Sequence, residues 1–218
     1  MIITIDGPSG TGKSTTARCL AQRLGFAFFD TGALYRSFAY FSHVLQGRDV
    51  FSWRVQERDG GKHYIVCGID VTNDIRSPEI TALASQLAAL PEVRALLLPF
   101  QRDYAKIHDT VFEGRDVGTV VFPEAEIKIF LTATPHVRAE RRHREMRAKQ
   151  INPPPSVEEI LDALQQRDQA DSTRNVAPLA CPKEAFVLDT SFLVQEEVVD
   201  ILEQYCHQKI KERVCRDG

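Results

Sequence analysis

The feature that most constrains this chain is a glycine-rich segment close to its N-terminus. Residues 7–14 read G-P-S-G-T-G-K-S and match the pattern G-x-x-x-x-G-K-[S/T]. The run before them, Ile2–Asp6, is short and rich in β-branched residues, which is typical of a buried strand. The run after them repeats apolar residues at helical spacing until Gly25, a residue type that favours helix ends. The segment therefore lies between a strand and the first turn of a helix, as a phosphate-binding loop does.

A loop of this kind binds a nucleotide mainly through its backbone. Glycines let the chain curl with its N–H groups pointing inward, and the helix N-terminus adds partial positive charge. In this pattern Lys13 reaches the β- and γ-phosphates, and the Ser14 hydroxyl ligates Mg²⁺. The predicted ATP-binding loop consists of Gly7, Pro8, Ser9, Gly10, Thr11, Gly12, Lys13, Ser14 and Thr15.

Composition limits what can surround the loop. The 218 residues are 43% hydrophobic and 26% charged, which is enough for one α/β core with small excursions. The net charge of −3 argues against general affinity for nucleic acid or membranes, and no apolar run reaches the length of a membrane span. The N-terminus does not resemble a signal peptide, and the five cysteines are widely spaced without a C-x-x-C pair. We therefore expect a monomeric cytoplasmic protein with free thiols.

Short apolar runs alternate with helical stretches along the rest of the chain, which predicts a parallel sheet with crossover helices. A polar or glycine-containing segment follows each predicted strand. Because ligands bind at the carboxyl edge of such sheets, we expect these segments to meet at one site. The predicted strands are residues 2–6, 26–29, 110–113, 127–131 and 185–188.

Two segments interrupt this alternation. Residues 54–77 contain a strand-like run with glycine turns and no crossover helix, which predicts a small antiparallel excursion. Residues 138–149, which end at Lys149, carry six basic residues against two acidic ones, and three prolines at 153–155 follow before helical periodicity resumes. We interpret this basic arm and the returning helix as a lid, with a solvated charged helix face as the alternative. Nucleic-acid binding by the arm is disfavoured because the arm lacks interleaved aromatic residues.

Arginines supply a second clue to the chemistry. Arg36 lies near the start of a predicted helix, Arg115 follows a strand, and Arg167 and Arg174 flank Asp171. Two nucleotides joined by a transferring phosphoryl group concentrate negative charge, which guanidinium groups neutralise without ever deprotonating. An acceptor that is itself a phosphate is mostly ionised at neutral pH and needs no general base. None of the six histidines is therefore assigned a catalytic role.

Several longer motifs resemble those of the bacterial cytidylate kinase family, and the similarity runs almost from end to end. The most specific is GRDVGTVVFP at residues 114–123. The others are GPSGTGKST at 7–15, DTGALYR at 30–36, ASQLAA at 84–89, and Arg174 followed by VAPL at 176–179. The resemblance implies a P-loop nucleoside monophosphate kinase fold of the α/β class, with a five-stranded parallel sheet flanked by helices. It also implies one domain, residues 1–218, with a core (1–45, 78–137 and 175–218), a small antiparallel NMP-binding insertion (about 46–77) and a helical lid (about 138–174).

The resemblance also implies how the acceptor base is recognised. It assigns the cytosine ring to Ser85, Arg94 and Asp116. A carboxylate facing the cytosine amino group is sensible chemistry, because Asp and Glu accept hydrogen bonds from that donor, whereas uracil offers a carbonyl there. Ser85 as a small packing residue and Asp116 as a partner of a helix dipole are the alternatives.

Phosphate and sugar contacts follow from the resemblance in the same way. The acceptor phosphate is assigned to Thr31, Arg36, Arg115 and Arg174. The sugar is assigned to Arg167 and Asp171, and ATP contacts from the lid to Arg138 and Arg142. The catalytic residues are then Lys13, Arg115 and Arg174. Glu113 stands where we expect Asp in this family, in a position from which it could organise the metal shell through water.

Together these expectations define a reaction. The chain is predicted to transfer the γ-phosphoryl group of ATP, with Mg²⁺, to CMP or dCMP, giving ADP and CDP or dCDP in pyrimidine nucleotide salvage and recycling. Lid closure would exclude water so that ATP is not lost to hydrolysis. Two alternatives stay open: a kinase for another small acceptor such as UMP or AMP, and a P-loop regulatory protein that binds ATP without an acceptor.

Overall fold

A computed structural model describes residues 1–47, 50–58, 61–148, 150 and 153–217 of the chain. The chain divides into two compact units, one of Met1–Phe29 with Tyr104–Gly218 and one of Asp30–Asp103. In chain order the strands and helices are β1 (Ile2–Asp6), α1 (Lys13–Leu24), β2 (Ala27–Asp30), α2 (Thr31–His43), β3 (Trp53–Arg58), β4 (Gly61–Val66), β5 (Ile69–Asp70), α3 (Pro78–Leu87), α4 (Pro91–Ile107), β6 (Thr110–Glu113), β7 (Ile127–Thr132), α5 (Pro135–Ala148), α6 (Val157–Thr173), β8 (Phe186–Asp189) and α7 (Gln195–Asp217).

The first unit is built on a five-stranded sheet with the strand order β2-β6-β1-β7-β8. The central strand β1 pairs in parallel with β6, where Ile2 faces Thr110, and with β7, where Ile3 faces Ile127. β8 extends the sheet beyond β7, also in parallel. This arrangement confirms the predicted α/β class and its five-stranded core sheet. Because β1 is central, the glycine-rich loop that follows it leaves the middle of the carboxyl edge.

Helices α1 and α7 supply the hydrophobic cover of one face of this sheet. Ile3 and Ile5 are two residues apart and therefore lie on the same face of β1. They belong to the same buried cluster as Leu20 of α1 and Leu202 of α7. Val198 and Leu202 of α7 are buried, so this helix covers the core.

Two predicted strands are displaced by one residue at each end, and local hydrogen bonds explain why. Phe26 was predicted to begin β2, but its N–H donates to the Ala21 carbonyl at 2.8 Å and so completes the end of α1. Ala185 was predicted to begin β8, but its N–H donates to Pro182 in a turn at 3.2 Å. The turn chemistry on the N-terminal side of each strand therefore delays its first ladder residue.

The predicted basic arm is helical over α5 and is followed by α6, as expected. Ala139 of α5 packs with Ile160 and Leu164 of α6 in a small buried cluster. α6 begins with a capping box in which Ser156 and Glu159 satisfy each other's backbone N–H groups. Lys149, the last cation of the predicted arm, lies outside the described residues.

The second unit contains α2, α3, most of α4 and a small sheet of order β3-β4-β5. Its strands are antiparallel, with Trp53 facing Val66 across β3 and β4, which confirms the predicted excursion. Phe51 packs edge-on against Phe38 and Phe100, at ring-centroid distances of 5.2 and 5.6 Å. The assignment of this region as an acceptor-binding insertion, and the finer domain boundaries, stay predictions.

Within the described ranges, a single helix with the length and apolar character of a membrane span does not occur. The α3–α4 pair passes such a test only when its two helices, bent by 101°, are taken together.

Candidate active site

The loop after β1 adopts the strained backbone that its glycines predict. Gly7, Gly10 and Gly12 have φ angles of 144°, 79° and 88°, in the region that side-chain-bearing residues avoid. A Cβ atom on Gly7 would lie 2.1 Å from the carbonyl oxygen of Leu131, in the backbone of β7. The loop can therefore take this path only with glycine at residue 7, and it delivers the chain directly into the first turn of α1 at Lys13.

Lys13 is buried among the atoms of its own loop. Its ammonium donates to the Pro8 carbonyl at 2.5 Å and to the Thr11 hydroxyl at 3.4 Å, and only 4% of the residue is exposed. Burial lowers the pKa of Lys13 well below its ordinary value, and the nearby charge of Arg115 lowers it further. An anion entering the loop would oppose both effects, so the site is matched to a negatively charged ligand.

Ser14 and Glu113 form a pair of oxygen ligands beside the loop. The Ser14 hydroxyl donates to Glu113 Oε2 at 2.9 Å, and Glu113, the last residue of β6, is 6% exposed. Hydroxyl and carboxylate oxygens are the ligands that Mg²⁺ prefers, either directly or through its water shell. Glu113 stands where we expected Asp. Its side chain, one methylene longer, contacts Ser14, the residue that the loop pattern assigns to the metal.

Each polar atom of Ser9 forms a hydrogen bond with a charged side chain. Its N–H donates to Asp168 Oδ1 at 3.0 Å, its carbonyl accepts from Arg138 Nη1 at 2.9 Å, and its hydroxyl accepts from Arg115 Nη2 at 3.0 Å. Arg138 also donates to Asp168. α5 and α6 are therefore attached to the loop through side chains that carry full charges.

A second group of charges, the arginine–carboxylate network, consists of Arg115, Asp116, Asp171 and Arg174. Arg115 donates to Asp171 at 3.3 Å, and Arg174 donates to Asp116 at 2.9 Å. A further pair, Arg174 with Asp171, is separated by 3.9 Å. All four side chains are at most 18% exposed. The network therefore places the guanidinium group of Arg115, already opposite a carboxylate, in contact with the phosphate loop at Ser9.

Asp6 lies beneath this network at the end of β1 and is fully buried. Its two carboxylate oxygens accept the N–H groups of Val117 and Gly118 at 3.0 and 2.7 Å. Burial raises the pKa of Asp6 to about 6, against the opposing effect of those two hydrogen bonds. Asp6 thereby fixes the backbone that immediately follows Arg115 and Asp116.

The other strand ends of the first unit meet at the same edge, as predicted. The Thr190 hydroxyl, just after β8, donates to the Thr11 carbonyl of the phosphate loop at 3.3 Å. The Thr134 N–H, after β7, donates to the Ser191 hydroxyl at 2.9 Å. Arg141 of α5 donates to the Thr190 carbonyl at 2.5 Å and so attaches the same segment to the basic helix.

A sequence model of the family described as "Cytidylate kinase" matches residues 3–208. The chain belongs to the cytidylate kinase family. It is 43% identical over 218 residues to the cytidylate kinase of Fervidobacterium nodosum, covering 95% of this chain and 98% of that protein. It is 42% identical over 220 residues to the cytidylate kinase of Protochlamydia amoebophila, covering 94% of this chain and 96% of that protein. As a member of this family, the chain is a nucleoside monophosphate kinase.

Solved structures agree with the fold at a greater distance. The crystal structure of shikimate kinase from Bacteroides thetaiotaomicron matches with a TM-score of 0.50 and 15% sequence identity, covering 95% of this chain and 98% of that one. At this identity the likeness shows the fold alone, which is that of a P-loop kinase.

The residues that the family resemblance assigns to the acceptor are divided between the two units. Asp116, Arg115, Asp171 and Arg174 belong to the first unit and contact one another as described above. In the second unit, Arg36 pairs with Asp30 at 3.1 Å. Arg94 donates to the Ala88 carbonyl at 3.2 Å and lies over the ring of Tyr35 at 5.8 Å. Thr31 is the buried first residue of α2, and Ser85 is a partly buried residue of α3.

The two arginines chosen from the predicted lid occupy different environments. Arg138 is 5% exposed and contacts the phosphate loop at Ser9. Arg142 donates instead to Glu145 on the exposed side of the same helix, at 3.0 Å. Arg167, assigned to the sugar, lies close enough to Lys13 for its charge to help lower the pKa of that lysine. The alternative of a purely solvated arm therefore holds for only part of α5.

Sequence reasoning missed three side chains that organise the site: Asp6, Arg141 and Asp168. Asp6 was noticed only as the end of a strand, although a carboxylate placed directly before a glycine-rich loop is a signal in itself. Asp168 lies three residues before Asp171 and therefore on the same face of α6. Arg141 lies three residues after Arg138, so the same spacing rule could have identified it.

Proposed function

We propose that this protein transfers the γ-phosphoryl group of ATP to the 5′-phosphate of CMP or dCMP. The observation that carries the proposal is the joining of two anion-binding features at Ser9 in a chain of the cytidylate kinase family. The phosphate loop with Lys13 serves the donor, and the network containing Arg115 and Arg174 serves the acceptor.

On the donor side, the loop amides and Lys13 bind the β- and γ-phosphates. In the reaction a CMP phosphate oxygen forms a bond to the γ-phosphorus while the bond from that phosphorus to the β,γ-bridging oxygen breaks, leaving ADP. Charge develops on the equatorial and bridging oxygens, where fixed backbone dipoles and a buried ammonium are most effective. The low exposure of Lys13 supports this role because water screens a buried charge only weakly.

On the acceptor side, Arg115 and Arg174 exchange part of their carboxylate contacts for phosphate oxygens. Guanidinium groups bind phosphate through paired N–H donors and remain charged at every relevant pH. The acceptor phosphate is mostly ionised near neutral pH, so its attacking oxygen needs no residue to remove a proton. Thr31 and Arg36 complete the phosphate contacts, and Arg167 with Asp171 binds the sugar.

Asp116 is proposed to select cytosine. Its carboxylate accepts from Arg174 and retains further acceptor capacity for the amino group of the base. Ser85 and Arg94 provide the other base contacts. Uracil would place a carbonyl oxygen opposite the carboxylate, and the resulting repulsion is the basis for discrimination.

Ser14 and Glu113 fit a magnesium ion, because both present oxygen and their side chains are already within hydrogen-bond distance. Bound with ATP, Mg²⁺ neutralises phosphate charge; Ser14 would ligate it, and Glu113 would orient its water shell. The described residues contain no cluster of three or more His, Cys, Asp or Glu side chains suited to a metal ion. A cation here would therefore take much of its coordination from phosphate and water.

From the lid, Arg138 and Arg142 are proposed to contact ATP. The protein is proposed to act as a cytoplasmic monomer.

One acceptor panel tests the proposal against its rivals. The protein is incubated with ATP and Mg²⁺ alone, or with CMP, dCMP, UMP or AMP, and ADP release is measured by a coupled assay. We expect CMP or dCMP to raise ADP release far above the rate without acceptor. Stimulation by UMP or AMP instead would identify another nucleotide kinase, and a slow rate indifferent to all acceptors would indicate a regulatory ATP-binding protein.

A further inference from the structure

Three charged or polar groups form a closed ring at the start of the phosphate loop. Asp168 Oδ1 accepts the Ser9 N–H at 3.0 Å, and Oδ2 of the same carboxylate accepts from Arg138 Nη1. That guanidinium nitrogen also donates to the Ser9 carbonyl at 2.9 Å. One carboxylate therefore contacts both the loop backbone and the arginine that contacts the loop.

The side chains of the ring are largely buried, so water screens the attraction between their charges only weakly. The side chain of Arg138 is 6% exposed and that of Asp168 is 15% exposed. A Cβ atom on Gly10 would lie 3.1 Å from Arg138 Cβ and 3.3 Å from the Arg138 carbonyl oxygen, so the loop lies directly against α5. Ordering a long cationic side chain costs rotamer entropy, which a charge-assisted hydrogen bond offsets, and Asp168 is the carboxylate that provides this bond in the ring.

We propose that Asp168 is a positioning residue for phosphoryl transfer, which acts by aligning Arg138 with the phosphate loop. The proposal rests on the kinase function proposed above and adds a residue to it. Asp168 makes no contact with the reacting atoms in this scheme. It fixes the guanidinium of Arg138 and the backbone of Ser9 in one geometry, which lowers the cost of ordering the site around the triphosphate.

The chemistry of the ring predicts how substitutions of Asp168 differ. Asn has the same shape but only one acceptor oxygen, so it can satisfy the Ser9 N–H or Arg138 but not both. Ala removes both contacts. Glu retains a carboxylate with one additional methylene group, so it restores the charge opposite Arg138 at an altered distance.

The test compares steady-state kinetics of the full-length wild type with the variants Asp168→Ala, Asp168→Asn, Asp168→Glu, Arg138→Ala and the double variant of Asp168→Ala with Arg138→Ala. Asp162→Asn, an exposed site on the same helix, is the matched control. We first measure CMP-dependent ADP release by the wild type. Its absence would count against the kinase function itself, whereas the present proposal is judged from ratios between variants of an active enzyme. Melting temperatures are measured for every variant.

We expect Asp168→Ala to lower kcat about 10- to 100-fold while the KM for CMP changes less than about 3-fold. Asp168→Asn should fall between Ala and wild type, Asp168→Glu should recover part of kcat, and Asp162→Asn should match wild type. In the Arg138→Ala background, the additional substitution Asp168→Ala should lower kcat by less than about 3-fold, because the residue that Asp168 positions is already absent.

Two results would overturn the proposal. One is an unchanged kcat in Asp168→Ala. The other is a double variant whose loss equals the product of the two single losses, since a residue that supports only the fold lowers activity equally in both backgrounds. If Asp168→Ala does not fold, the same cycle with Asp168→Asn decides between these outcomes.

Discussion

The phosphate loop and the arginine–carboxylate network are the two proposed anion-binding regions, and they are built on opposite principles. The loop uses one short stretch of backbone, forced into shape by glycines such as Gly7 and ending in a helix N-terminus. The network uses side chains from distant parts of the chain, Arg115 and Asp116 after β6, Asp171 in α6 and Arg174 just beyond it. The first region carries fixed dipoles, whereas the second carries full charges that already neutralise one another.

This contrast explains why the two regions differ in tolerance to change. A backbone site depends on conformation, so a side chain at Gly7 would collide with the backbone of β7 at Leu131. A side-chain site depends on charge balance. Loss of one member leaves its buried partner uncompensated, which costs more than the contact itself contributed. Substitutions in the two regions should therefore affect different measured quantities.

The largest expected effect is on catalysis by the loop. Lys13→Met should lower CMP-dependent turnover about 10²- to 10³-fold, because a preorganised positive charge at the transferring phosphoryl group is removed. The melting temperature should not fall, since burial already opposes the charged form of Lys13. Turnover by coupled assay and melting by calorimetry measure the two quantities. Turnover within about 10-fold of wild type would show that the loop does not carry the chemistry.

Substitutions in the network should change the affinity for the acceptor, CMP. Asp116→Ala removes the carboxylate opposite Arg174 and the proposed acceptor for the cytosine amino group. We expect CMP binding to weaken about 30- to 100-fold, which corresponds to roughly 2 to 3 kcal/mol. The affinity for ATP should change only slightly. Isothermal titration calorimetry with each nucleotide measures both, and equal weakening of ATP and CMP would contradict the separation of the two regions.

The last prediction concerns stability rather than turnover or binding, and its residue is Asp6, which links the strand before the loop to the backbone after the network. Its pKa is raised to about 6 from an ordinary value of 3.8, so between these pH values the folded protein binds a proton that the unfolded chain releases. Asp6 therefore contributes stability that is full below about pH 3.8 and is lost as the pH rises through about 6. This contribution amounts to about 2 to 3 kcal/mol.

Urea unfolding of wild type and Asp6→Asn from pH 4 to pH 7 measures this contribution. Over that range the wild type should lose about 2 to 3 kcal/mol of unfolding free energy relative to the variant. The unfolding free energy of the exposed-site variant Asp162→Asn should change with pH in parallel with that of the wild type. Parallel curves for wild type and Asp6→Asn would show that Asp6 does not titrate differently in the folded protein.

Features with a local cause were predictable from the sequence. The phosphate loop, the strands Ile2–Asp6 and Thr110–Glu113, and the antiparallel excursion follow from patterns within a few residues, and the structure contains each of them. The family resemblance supplied the members of the network as well. Their mutual ion pairs were not foreseen, because the side-chain partners of an arginine depend on how distant elements pack.

Helix α5 of the predicted lid shows most clearly where sequence reasoning ends. α5 carries arginines at several helical faces and few apolar residues, so its pattern does not reveal which side is buried. Contact with the loop selects Arg138, while Arg142 faces Glu145 on the exposed side. Asp168 was overlooked for the same reason, since its importance comes from Ser9, a residue far away in the chain.

The central position of β1 has a consequence for how the protein is made. This strand is synthesised before both of its partners in the sheet, β6 and β7, which lie about 100 residues or more further along the chain. On the ribosome, β1 therefore has no partner in this sheet until residues 110–132 have emerged. Such long-range pairing slows folding and leaves the unpaired edge open to aggregation. The proposed nucleotide site would thus form only after these later strands are made, although its motif leaves the ribosome before they do.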